Sequence, residues 1–324
     1  MTVPGAPGLP TRRFTGRSGS SADRLFRTST GIAAVTMAGL ILAIGLMLLV
    51  NSGEAFRQFG VGFVTGTTWD PVAGIYGALP YIVGTLLSSA IALAIAAPIG
   101  LLTAIFLAEL APRRVALPLT FLIELLAAIP SVVFGLWGVF VLSPFLGATL
   151  EPFLIRTLGW IPIFAGPSYG IGLFSAGIIL AIMILPTIVA IAREVISSVP
   201  DSQREAMAAL GATRWEIVRR AVLPFARSGI VGAIILGLGR ALGETMAVTM
   251  VIGNGQNIPT RLFDQAQTIA SKIATTFNEA SIGLQTSSLI ALGLMLLVIT
   301  ISLNVVARLL VRRVATEGGR WWRR

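Results

Sequence analysis

The sequence predicts an all-α membrane protein with six transmembrane helices and both termini in the cytoplasm. Composition comes first. Of 324 residues, 55% are hydrophobic and only 12% charged, about half the charged share of an average soluble domain. A globule of that makeup lacks the polar surface to cover itself, so lipid must solvate much of it. Spacing is the second observation. A hydrocarbon core about 30 Å thick takes roughly 20 apolar residues as a helix, and apolar runs of that kind fall at residues 30–50, 79–108, 115–142, 169–192, 229–252 and 287–311. The third is where the arginines sit between those runs.

The first run carries no charge and is too long for a signal-peptide core, so it reads as a retained helix. Residues 1–29 are rich in Gly, Pro, Ser, Thr and Arg and predict a disordered basic leader. Residues 30–312 then form the transmembrane domain, and residues 313–324 a basic tail. Arginine is concentrated in the leader (Arg12, Arg13, Arg17, Arg24, Arg27), at Arg113 and Arg114, in the 193–227 loop and in the tail. The opposite side holds only Arg57, Arg156, Arg261 and Lys272. The positive-inside rule places the arginine-rich side, and with it both ends, in the cytoplasm. An even number of spans is consistent with both ends on one side.

Residues 51–78 and 143–168 read as outer connections whose Trp69, Tyr76 and Trp160 suit a membrane interface. In residues 261–277, Leu262, Ile269, Ile273 and Phe277 could share a helical face that lies on the membrane or meets an external partner. A solvated loop fits the periodicity equally. Pro98, Pro130 and Pro186 fall inside the second, third and fourth runs and predict kinks there.

The chain has no histidine and no cysteine. Disulfides, thiol or Ser-His-Asp catalysis and Cys/His metal sites are therefore excluded, and no cofactor or metal is expected. The net charge of +10 follows topology, not a groove-binding patch, so nucleic acid is not an expected partner. No GxxxxGK[ST] phosphate loop occurs, so the chain is not expected to hydrolyse ATP itself.

The loop at residues 193–227 is the most informative segment. Pro200, Asp201 and Ser202 signal a helix start, Glu205 to Leu210 form helix well, and Gly211 supplies a turn. A second amphipathic stretch, 214–223, follows and is expected to close at Pro224. Glu205, Ala206, Gly211, Leu223 and Pro224 stand in the register of the coupling motif of binding-protein-dependent ABC importer permeases: EAA, three residues, G, nine residues, I, one residue, LP. The chain resembles that family, with Met207 for an alanine and Ala221 for the isoleucine. The resemblance implies a type I ABC importer permease fold (MetI-like) whose loop docks on an ATP-hydrolysing partner.

Ionisable residues inside spans are functional candidates by default. Arg240 lies roughly 20 Å along a helix from Arg227, near the midplane. Glu244 follows at i+4, where the two would pair on one face. Gly239 and Gly243 form a GxxxG that would permit close helix approach. Glu124 lies about 15 Å beyond Arg114, inside the third run. A guanidinium is a planar donor fork suited to phosphate oxygens. A purely structural Arg240–Glu244 pair is the competing explanation.

The RALGET run at 240–245 and LLAAIPSVVFGL at 125–136 resemble the phosphate-specific transport (Pst) permeases, and the extra first span resembles their PstC-type subunit. The resemblance implies import of inorganic phosphate along a path that includes Arg240 and Glu244. It also implies a second, PstA-like permease subunit, a dimer of PstB-like ATPase subunits and an extracytoplasmic PstS-like phosphate-binding protein, all at the plasma (inner) membrane. A role for Glu124 rests on its depth alone. Permeases for sulfate or molybdate share the docking loop, and a secondary carrier would not need it.

Overall fold

The computed structural model describes residues 21–320, with side chains through residue 309. The expected leader 1–20 and the last four residues of the tail lie outside the described residues. Two compact units divide the chain, residues 1–47 and 48–324. In the first, helix α1 (Ser21–Asn51) begins nine residues before the apolar run, so the end of the expected leader is helical. Hydroxyls in its first turns donate back to the helix, as Thr30 Oγ1 does to the Phe26 carbonyl at 2.7 Å.

Six helices of the described residues are long and apolar enough to cross a membrane: Asp23–Asn51 within α1, then α2 (Leu79–Leu110), Ser131–Leu158, Leu173–Ser197, Arg214–Gly243 and Leu284–Leu309. The third is not the one expected. Helix α3 (Arg113–Ala128) is a separate 16-residue amphipathic helix, and the crossing helix α4 (Ser131–Leu158) begins after it. Pro130 is the cause. Proline disfavours the helical conformation of the residue before it, and Ile129 and Pro130 are both extended, with ψ of 129° and 142°. The expected kink is a full break, and most of the supposed outer connection is the second half of α4. Two π-helical turns, Gly138–Leu142 and Leu146–Leu150, lie within it.

Helix α5 (Leu173–Ser197) is the centre of the second unit, and Pro98 and Pro186 sit inside α2 and α5 as expected. The α2–α5 seam is built from small residues. A Cβ at Gly177 would sit 2.4 Å from the Ile91 side chain. Without a hydrophobic drive between helices in lipid, such close backbone approach is what association rests on. Ala92, Ala96, Ala176, Ile179, Ile184 and Ile188 fill the core around it.

After α5 comes α6 (Asp201–Ala209), then α7 (Arg214–Gly243), a continuous helix reaching from the loop into the membrane. Pro224 does not close the second amphipathic stretch. A π-helical turn, Val218–Val222, ends with the Leu223 N–H on the Val218 carbonyl. The widened turn accommodates a proline that has no N–H to give. Helix α7 stops at Gly243, Glu244 is extended, and the short α8 (Met246–Val251) follows.

On the side away from α6, the antiparallel pair Trp69–Asp70 and Ile75–Tyr76 packs with the start of α2. Of residues 261–277, only α9 (Ile269–Thr276) is an α-helix. Ile269 is buried and Phe277 exposed, so no continuous four-residue face forms. Glu151 of α4 is buried; its Oε2 accepts from the Ser168 hydroxyl at 2.8 Å and the Gly170 N–H at 2.9 Å, which ties the following loop to the helix. The last helix, α10 (Leu284–Arg320), carries the sixth span past its expected end.

Candidate functional site

The docking loop is built by two local devices. Helix α6 ends in a Schellman arrangement: the Gly211 N–H meets the Ala208 carbonyl at 2.9 Å, and the Ala212 N–H meets that of Met207 at 3.1 Å. That turn requires φ of +78° at Gly211, a conformation glycine adopts without penalty. Helix α7 then starts in a capping box. The Thr213 N–H and hydroxyl both donate to Glu216 Oε2 at 2.9 Å, and the Glu216 N–H returns to the Thr213 hydroxyl at 3.4 Å. Glu205, Ala206, Gly211 and Pro224 are exposed on the protrusion and Leu223 is half-buried. Leu210, Trp215 and Phe225 stand exposed beside them. A cavity of about 350 Å³ between α6 and α7 is lined by Ala206, Met207, Leu210, Ala221, Pro224 and Phe225 among others.

Arg204 pins α6 to its surroundings. Its Nη2 donates to Glu109 Oε1 at 2.7 Å and its Nε to the same oxygen at 3.2 Å. Nη2 also meets the Ile196 carbonyl at 3.1 Å, and Nη1 meets Asp201 at 3.1 Å and the Val199 carbonyl. The hydrogen bond to Glu109 raises the Arg204 pKa above its ordinary value.

Within the spans, Arg240 and Glu244 do not pair. The i+4 expectation assumed an unbroken helix, and the break at Glu244 turns its side chain onward. Its Oε1 accepts from the Ala247 N–H of α8 at 3.3 Å. The exposed Arg240 reaches α5, where Nη1 donates to the Thr187 hydroxyl at 3.2 Å. The ion pairs seen within 4.0 Å include Arg204–Glu109 and Arg204–Asp201. A Cβ at Gly239 or Gly243 would meet nothing within 4 Å, so that GxxxG makes no close approach to another helix among the described residues. Gly237 is the close approach, with Ile188 Cγ1 at 2.8 Å from such a Cβ.

Glu124 belongs to α3 and not to a crossing helix, which removes the depth inference made for it. It lines a cavity of about 320 Å³ together with Thr120, Arg193, Glu194 and Ser197. Arg193 Nη1 donates to the Thr120 hydroxyl at 2.7 Å. Thr187, Ala190, Glu194 and Ser197 recur at helical spacing on one face of α5, so the Arg240 contact and this cavity share that face. Glu244 and Arg240 are outside the cavity lining.

Sequence reasoning missed four features: Arg193 in the cavity, Thr187 as the partner of Arg240, the Glu109–Arg204 pair, and Lys272. The last is buried, with Nζ 5.0 Å from the Trp69 ring centroid and 5.3 Å from that of Tyr81. Its one sequence signal was being the single lysine.

Six apolar helices long enough to cross a membrane, with a helix–turn–helix protrusion fused to one of them, fit a multi-pass membrane permease subunit. Residues 96–316 match the family described as binding-protein-dependent transport system inner membrane component, and the chain belongs to that family. It is 46% identical to the phosphate transport system permease protein PstC of Mesorhizobium japonicum, over 95% of each chain. The PstC of Haemophilus influenzae is also 46% identical, over 92% of this chain and 96% of its own. PstC 2 of Mycobacterium tuberculosis is 42% identical over 90% and 92%. A bacterial alginate ABC transporter, solved with a pentasaccharide-bound periplasmic protein, shares the fold at a TM-score of 0.61 and 18% identity. The match covers 91% of this chain and 97% of that one. The inward-facing MetNI methionine ABC transporter matches at 0.51 and 20% identity, over 74% and 94%, so the fold is the MetI-like type I importer permease.

Proposed function

We propose that this chain is the permease subunit through which an ATP-binding-cassette importer moves inorganic phosphate across the membrane. Its PstC relatives support the substrate. The observation that carries the reading is Arg240: a guanidinium inside a span, held by one neutral hydroxyl and paired with no carboxylate of the described residues. Its remaining donors are free for an oxyanion that must bind briefly and leave. Glu244, held one break further on, would act on the same path, and Glu124 with Arg193 at its inner mouth.

Arg240 lies on the helix that begins in the docking loop, about 40 Å from Arg214 at 1.5 Å per residue. A partner ATPase engaging Glu205, Ala206, Gly211, Leu223 and Pro224 would therefore act on Arg240 through one continuous helix. ATP hydrolysis would fall to that partner, a reading supported by the permease family. A second permease subunit completes the pathway, and an extracytoplasmic phosphate-binding protein delivers the ion. The arginine distribution supports a cytoplasmic α6 and cytoplasmic termini.

The test is uptake of labelled phosphate into vesicles carrying the four components, with and without hydrolysable ATP. ATP-dependent uptake that sulfate and molybdate fail to compete is expected. Uptake that persists without ATP hydrolysis would overturn the importer reading, and preferential competition by another oxyanion would overturn the substrate.

A further inference from the structure

In sequence the docking loop reads as a lever on the spans on either side of it, and α6 runs through the Gly211 turn directly into α7. The side-chain contacts add a further output. Helix α6 buries no residue fully, so apolar packing alone does not fix it. Arg204 does. A guanidinium offers five N–H donors in a rigid fork, and this one spends them on three separate pieces of chain. Asp201 belongs to α6. The Ile196 and Val199 carbonyls belong to the end of α5 and the turn after it. Glu109 belongs to the π-helical turn, Phe106–Leu110, that ends α2. Arg204 and Glu109 side chains are only 21% and 10% exposed. A charge-assisted, forked contact shielded to that degree is stiffer than a surface ion pair.

We propose that Arg204 is the positioning residue that joins the docking helix to spans two and four. A push on α6 then displaces the ends of α2 and α5 together with α7. The joint moves the α5 face that carries Thr187 and the cavity in step with the α7 face that carries Arg240. This inference rests on the reading that a partner ATPase docks on α6.

Two measurements on the assembled transporter test it. The chain has no cysteine, so Leu110→Cys with Ala208→Cys, both at exposed positions, gives two spin labels across the joint without background. One narrow distance is expected, unchanged by ATP. With Arg204→Gln added, the distribution broadens and shifts with ATP. An unchanged distribution in that variant overturns the joint, whatever the substrate is. The second measurement is uptake per ATP hydrolysed. Arg204→Gln is expected to lower it about tenfold while the ATPase still copurifies, with Arg204→Lys intermediate because an ammonium cannot fork. Adding Glu109→Gln to Arg204→Gln should cost no more than Arg204→Gln alone. Wild-type coupling in Arg204→Gln, additive losses, or loss of the copurifying ATPase would each overturn the proposal. Failure of wild-type phosphate uptake would instead count against the functional reading.

Discussion

Arg204 and Arg240 show two uses of the same side chain. Arg204 sits at the membrane edge with its donors committed to two carboxylates and two carbonyls. Arg240 sits inside a span with one hydroxyl. Burial cost alone would predict the reverse, since a charge in lipid needs partners more than one near water. A fully partnered arginine is a fastener, whereas one left short of acceptors where they matter most is, under the proposed function, the one held for a ligand. The break at Glu244 is what leaves it short, because an unbroken α7 would have brought the carboxylate alongside.

The comparison breaks most visibly if Arg240 proves structural. Arg240→Gln is expected to cut phosphate uptake roughly 10- to 100-fold, from loss of charged hydrogen bonds worth about 1.5–3 kcal/mol. Yield and melting temperature of the complex should not change. A collapse of the complex with loss of uptake would make Arg240 a fastener too.

Packing gives the next effect. Gly84→Ala places a Cβ 2.3 Å from the Gln267 backbone carbonyl. Backbone cannot yield as a side-chain tip can, and overpacking of this kind costs about 1–3 kcal/mol. Gly239→Ala meets open space within the chain and is expected to leave its thermal stability nearly unchanged. Equal shifts in the two variants would contradict the close approach of α2 to the Gln267 backbone.

Thr187→Ala removes the one hydrogen bond seen on Arg240. About 0.5–1.5 kcal/mol follows for such a bond, and a several-fold change in the phosphate concentration for half-maximal uptake is expected. No change would mean that Arg240 leaves Thr187 whenever phosphate arrives, which sharpens its role as a free donor.

Much of this was legible in the sequence. Hydropathy located four of the six spans closely; the fifth, expected at 229–252, instead runs over Arg214–Gly243 and breaks at Glu244. The docking register was readable as spacing. The third span failed because 115–142 is apolar on both sides of Pro130, and hydropathy does not register a broken hydrogen-bond ladder. The π turns at Val218–Val222 and in α4 were invisible for the same reason. At the site, types of residue were legible and contacts were not. Arg240 stood out as a charge within an apolar run, but its partner Thr187 lies on another helix, and pairing it with Glu244 assumed continuity the backbone lacks. Glu109 and Arg204 are 95 positions apart, beyond any local pattern.

Lys272 extends the comparison to the opposite side and carries the smallest effect. It is buried like a fastener but has aromatic faces in place of acceptors, an arrangement worth about 0.5–2 kcal/mol. Burial holds its pKa below the ordinary 10.5. Below that lowered value both folded and unfolded chains are protonated, and the whole cost of burying the charge is present. As pH rises from the lowered value toward 10.5, the unfolded chain holds more protons than the folded one, so folding is increasingly favoured. Lys272→Met removes this term. The melting temperature of the wild-type complex should therefore gain on the variant between neutral pH and about pH 10, with phosphate uptake at neutral pH unchanged. A constant gap between the two melting curves would mean that the aromatic cage fully offsets the burial. A loss of uptake would move Lys272 from the fasteners to the pathway, beside Arg240.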